Sequence, residues 1–178
     1  MATFIMLPDG VTGTNNWQNY DGTTADHTLV DDDTITNSYI YETAQNGEIT
    51  FTLANPSVAE ADIDFSQDVT VTPKAKAHYT RSGLSLDMNI RVTGTGISIP
   101  GDTVSVAYNA MFPTYTGAST TVKSIGTDWD YTGLENAQIY LKCAGRVARF
   151  QYLRVSYVYL EVDYSEPTGN TIFFGTNF

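Results

Sequence analysis

The chain is poor in positive charge: nine Lys and Arg stand against 20 Asp and Glu in 178 residues, a formal net charge of -11. Residues 1–73 hold twelve of the acids and no Lys or Arg at all. A phosphate-binding surface needs a basic stripe, so this asymmetry disfavours nucleic acid and none is expected as a partner. The only basic groupings, Lys74, Lys76, Arg81 and Arg91 and then Arg146, Arg149 and Arg154, fall in strand-like stretches. Pairing with acids across a sheet is their expected use. The acidic half reads either as a solvated face or as a surface for a basic partner or cations.

Cysteine is nearly absent. Cys143 alone excludes an intrachain disulfide and a four-cysteine zinc site. Long apolar runs are missing too: nothing approaches the roughly 18 uninterrupted residues of a membrane span, so no membrane is expected. Residues 1–10 carry no Lys or Arg and end in Pro8-Asp9-Gly10, so neither a signal peptide nor an anchor is expected there. Catalytic patterns are equally scarce. There is no Gly-x-Ser-x-Gly elbow and no phosphate-binding Gly-Lys-Ser/Thr loop, and His27 and His78 lack metalloprotease spacing. No catalytic residue, no cofactor and no enzyme activity are expected.

What is plentiful sets the fold class. Thr, Val and Ile number 50 while Leu numbers 9. Branched side chains lose rotamer freedom in a helix and pack well on a pleated surface, so the composition is all-β. Leu84, Leu86, Met88, Ile90 and Val92 alternate with polar residues as a half-buried strand. Val69, Val71, Ala75, Ala77 and Tyr79 keep period two across Pro73, which predicts an edge strand or a bulge at that proline. Asn46-Gly47 between Ser38–Glu42 and Glu48–Leu53 predicts a type I′ hairpin. Val158, Leu160, Val162 and Tyr164 fall on one side of a closing strand, with Val155, Tyr157 and Tyr159 on the other. Thr132 placed three residues before Glu135 predicts one short helical turn near 132–138. Turn residues at intervals of ~8 to 12 give a two-sheet antiparallel β-sandwich of jelly-roll type over residues 1–164. Residues 165–178 form a linker and an aromatic tail.

Candidate sites follow from residue type. Asp31, Asp32 and Asp33, with Asp26 nearby, offer oxygen ligands to calcium, or fill the turn and solvent roles aspartates often take. Trp17 with Tyr20, and Trp129 between Asp128 and Asp130, present either sugar-stacking rings or core plugs. Cys143 continues the apolar face of Ile139 and Leu141 and reads as a small buried hydrophobe rather than a nucleophile. Two apolar segments, Thr3, Phe4, Ile5, Met6 and Leu7 and then Ile172, Phe173, Phe174 and Phe178, are the expected partner contacts. Strand edges and apolar ends are what proteins otherwise conceal.

The order of segments resembles tailed-bacteriophage β-sandwich virion proteins over about residues 3–164. The resemblance rests on Leu7-Pro8-Asp9-Gly10 followed by Trp17, on Asp31-Asp32-Asp33-Thr34, and on Phe51-Thr52-Leu53. It continues through Val69 to Ala77, Asn89-Ile90-Arg91-Val92, Trp129 before Gly133-Leu134, and the closing Val158 to Tyr164. It implies a capsid decoration or cement protein at the virion surface, assembled in the host bacterial cytoplasm. Its implied partners are the major capsid protein and copies of itself, a trimer by preference. The alternative is a tail or head-fibre component that binds host-surface carbohydrate.

Overall fold

The computed structural model describes residues 1–20, 22, 26–31, 38–42, 46–94, 97–98, 102–108, 112–117, 120–121, 130–144 and 151–168. Among the described residues thirteen strands run in chain order: β1 (Ala2–Met6), β2 (Pro8–Thr12), β3 (Gln18–Asn19), β4 (Ile40–Glu42), β5 (Glu48–Leu53), β6 (Thr70–Tyr79) and β7 (Ser85–Gly94). They continue with β8 (Ile97–Ser98), β9 (Asp102–Ala107), β10 (Thr114–Thr116), β11 (Thr120–Thr121), β12 (Gln138–Ala144) and β13 (Leu153–Tyr164), with a single turn of helix, α1 (Tyr131–Glu135), before β12.

The strands form two antiparallel sheets. The seven-stranded sheet has the order β10-β6-β13-β4-β3, with β11 also on β6 and β1 also on β13. The six-stranded sheet has the order β2-β5-β12-β7-β8, with β9 also on β7. From β4 onward the chain alternates between sheets, β4 and β6 in one, β5 and β7 in the other, before β12 and β13 close the centre of each. This is the jelly roll expected from the turn spacing. Its core lies between the sheets, where Phe51, Ile90, Ile139, Leu141, Leu153 and Leu160 are fully buried.

Several local expectations change. Asn46 takes the left-handed backbone conformation (φ 61°), yet β4 and β5 belong to different sheets, so Asn46-Gly47 is a crossover rather than a hairpin. The buried Glu42 carboxylate occupies the space where a Gly47 side chain would stand. Pro73 does not place β6 at an edge. It falls in the gap between β10, which pairs with Lys74 to Lys76, and β11, which pairs with Thr70 and Val71. There the Gly117 N–H donates to the Pro73 carbonyl at 2.8 Å, and a Cβ on Gly117 would lie 2.8 Å from the Ile90 carbonyl oxygen. The cap of α1 is Asp130, whose Oδ1 accepts from the Gly133 N–H at 3.0 Å, and not Thr132.

The register of β13 against β6 shifts between Val155 and Tyr157. The extra residue, Ser156, turns Val155 into the core with Leu153, Val158, Leu160 and Val162, so the two-faced pattern read from the sequence has its Val155 on the wrong side.

Gly47→Ala is expected to destabilise the protein by roughly 2–4 kcal/mol, because the new methyl displaces a buried carboxylate. Urea unfolding checks this. A midpoint within experimental error of the wild-type value would show that Glu42 can relocate without cost.

Candidate functional site

The two outer faces differ in chemistry. On the six-stranded sheet, Tyr140 lies beside Arg91 and Thr50, with the Arg91 guanidinium 4.1 Å from the Tyr140 ring centre. The Tyr140 hydroxyl donates to Glu48 Oε2 at 2.7 Å, and Lys142 approaches the same oxygen at 3.9 Å. Burial first, then the Glu48 carboxylate, push the Tyr140 phenol up to about 12. On this face Glu48 engages both Tyr140 and Lys142, while Arg91 Nε and Thr93 Oγ1 are buried without a hydrogen-bond partner among the described residues.

The outer face of the seven-stranded sheet is aromatic. Successive ring centres run from Tyr20 to Tyr39 (4.8 Å), to Tyr41 (6.3 Å) and to Tyr152 (5.1 Å). Backbone pairing sets this file: the Tyr20 N–H donates to the Tyr39 carbonyl, and Tyr41 sits opposite Gln18 on one side and Arg154 on the other. The Arg154 guanidinium lies over the Tyr39 ring at 4.7 Å. Tyr20, Tyr39, Tyr41, Tyr152 and Arg154 together line an open cleft of about 210 Å³. Burial raises the Tyr39 phenol above its ordinary range despite the opposing charge of Arg154, so Tyr39 stays a neutral hydroxyl.

The same face continues along β13 and β6. Arg154 is opposite His78, whose ring packs on Phe112 (4.8 Å) and Tyr108 (5.8 Å). Tyr157 and Tyr159 stack at 4.8 Å, with Lys76 and Lys74 over their respective rings, and Lys74 also bonds Glu161 at 2.6 Å. Tyr20 is 44% exposed and Tyr108 50% exposed. The basic residues therefore meet rings at least as often as acids, which the acid-pairing expectation missed. The signal was present as tyrosine and basic residues in register along the strand runs. Identifying it required knowing which strands are neighbours.

The sequence-derived candidates are placed differently. Trp17 is 5% exposed and belongs to the core, so the aromatic surface does not form around it; Trp129 is outside the described residues. Phe4 and Met6 are buried in the core, with Ala2 to Met6 paired to Tyr164 to Leu160. The N-terminal segment is thus part of the sheet and presents Thr3 and the 43% exposed Ile5 outward, with Leu7 half-buried. Ile172, Phe173, Phe174 and Phe178 lie outside the described residues, as do Asp32 and Asp33. Asp31 is half-buried, and among the described residues no three His, Cys, Asp or Glu side chains gather to hold a metal ion. Asp26 instead accepts from the Asn15 side-chain amide, whose Oδ1 in turn accepts from the Trp17 N–H at 2.9 Å. Cys143 is buried, and burial followed by the Glu42 charge pushes its thiol up to about 12.

No family model and no curated protein matches this chain. Among solved structures, the CBM36-1 domain of a multidomain xylanase from the hindgut metagenome of Trinervitermes trinervoides matches at 10% identity and a TM-score of 0.41, covering 92% of this chain and 98% of that one. The low-affinity xylan-binding module CBM86 from Roseburia intestinalis matches at 8% identity and 0.43, covering 93% and 97%. The GH115 4-O-methyl-α-glucuronidase BtGH115A, specific for decorated arabinogalactans, matches at 11% identity and 0.39, covering 86% of this chain and 18% of that one. No residue role is transferred from any of them.

Two outcomes follow from the perturbed groups. Cys143 is expected to resist thiol reagents at pH 8 in the native protein and to react at the unfolding rate; rapid labelling without denaturant would contradict its burial. For Asp26, burial raises the folded carboxyl above its ordinary 3.8, outweighing the Asn15 hydrogen bond and the His27 charge. Its stability contribution is full below that ordinary value and falls as pH rises through the raised one. Asp26→Asn should therefore gain in Tm relative to wild type between pH 3 and pH 7. A constant or shrinking difference in calorimetry would reverse that sign.

Proposed function

We propose that this chain is a non-catalytic carbohydrate-binding β-sandwich whose ligand lies along the aromatic outer face of the seven-stranded sheet. One observation carries the reading: four partly exposed tyrosine rings in file, with an arginine among them, border a cleft on the outer surface of the sheet. A pyranose has an apolar C–H face and a polar rim. Tyrosine offers it a ring to stack on and a hydroxyl to hydrogen-bond, and the cleft volume suits one sugar unit. The face is a sheet surface fixed by backbone pairing, so the rings are held in place before any ligand arrives.

A second reading, the capsid decoration protein implied by the phage resemblance, is supported by β1. Among the described residues β1 pairs on one side alone, with β13, and Ile5 is exposed on it. An open strand edge can take a strand from another subunit. The two readings use different surfaces of the sheet and are separable by mutation.

The test is titration of purified protein against neutral and acidic oligosaccharides. Tyr41→Ala and Tyr39→Ala are each expected to weaken binding about tenfold, the loss of one stacking contact. No binding to any oligosaccharide, alongside saturable binding to phage capsids that Tyr41→Ala leaves intact, would overturn the carbohydrate reading in favour of the structural one.

A further inference from the structure

Arg154 is the cation of the tyrosine cleft. Among the described residues, Lys74 is paired with Glu161 and Lys142 with Glu48, whereas no carboxylate pairs with Arg154 or with Arg91; of these two arginines it is Arg154 that lines the cleft. Its row across the sheet is Gln18, Tyr41, Arg154 and His78, with no acid in it. The contact it makes is with the Tyr39 ring, and its buried Nε–H has no hydrogen-bond partner. A guanidinium has five N–H donors in a planar fork that matches a carboxylate. Contact with a ring supplies no acceptor oxygen for any of them. Tyr39 stays a neutral phenol and so does not neutralise the arginine. In a chain of net charge -11, Arg154 places a positive charge at the cleft with no carboxylate bonded to it among the described residues.

We infer that the cleft of Tyr20, Tyr39, Tyr41, Tyr152 and Arg154 is a subsite for a sugar carboxylate, with Arg154 taking the acid group and the tyrosines taking the ring. This rests on the carbohydrate reading of the same face and specifies its ligand class. The sugar is a carboxylated one, of the uronic or the nonulosonic type. The arrangement gives discrimination by charge and by shape together, because the fork and the ring file are fixed by adjacent strands.

The experiment measures the ratio of affinities for an acid and its methyl ester, using oligogalacturonides and sialyllactose each beside its esterified form. The free acid is expected to bind about tenfold more tightly than the ester, the scale of a charge-assisted bond. Binding confined to the galacturonides identifies a uronate, and binding confined to sialyllactose identifies a nonulosonate. Arg154→Gln should bring the ratio close to one, and Arg91→Gln on the opposite sheet should leave it unchanged. The wild-type ratio needs no variant, so a poorly folding Arg154→Gln does not impair the test. Equal affinity for acid and ester overturns this inference and leaves the carbohydrate reading standing. No binding of either form, or of the neutral oligosaccharides, overturns both.

Discussion

The extra residue in β13 decides which side chains the protein keeps and which it shows. In a strand of strict period two, Val155 shares a face with Tyr157 and Tyr159, and Arg154 faces the core. The shift at Ser156 exchanges them, so that Val155 joins Leu153 and Val158 inside while Arg154 joins the tyrosines outside. β6 and β4 take their places on either side of that strand, which brings His78 and Tyr41 level with Arg154. Without the shift a guanidinium would be buried in an aliphatic core, at a cost of several kcal/mol. The cleft and the core thus have one origin.

The division between the two outer faces follows the same logic of neighbours. Arg91 and Arg154 both lie over tyrosine rings. Beside Arg91 the tyrosine hydroxyl is committed to Glu48, and Lys142 approaches the same carboxylate. Beside Arg154 the rings of Tyr20, Tyr39, Tyr41 and Tyr152 leave a concavity between them. The same pair of residue types closes one surface and opens another.

Much of the fold was legible in the sequence. The alternation of Leu86, Met88, Ile90 and Val92 is the buried stripe of β7, and Ile139, Leu141 and Cys143 are that of β12. The two-sheet jelly roll follows from composition and turn spacing. Features that depend on which strands become neighbours were not legible. Asn46-Gly47 carries hairpin chemistry in its local backbone, yet its flanking strands find partners in opposite sheets. Pro73 looks like an edge residue until the gap between β10 and β11 receives it. The tyrosine cleft draws on residues near 20, 40 and 153, and no local window contains all three segments. Trp17 was legible as large and apolar, and the choice between plug and platform required its burial.

Strand β6 finds its central partner, β13, about 80 residues later in the chain, and β1 pairs with the end of that same strand. At a synthesis rate of about 5–20 residues per second, the apolar stripe of β6 waits several seconds for the residues that cover it. Pairings this far apart in sequence also make closure slow once the chain is released. Folding is therefore a late event in the life of the nascent polypeptide, and the cell must hold β4 through β7 apart from their counterparts on neighbouring ribosomes until it occurs. A protein made in many copies at once would feel that demand on chaperones as the ceiling on its yield.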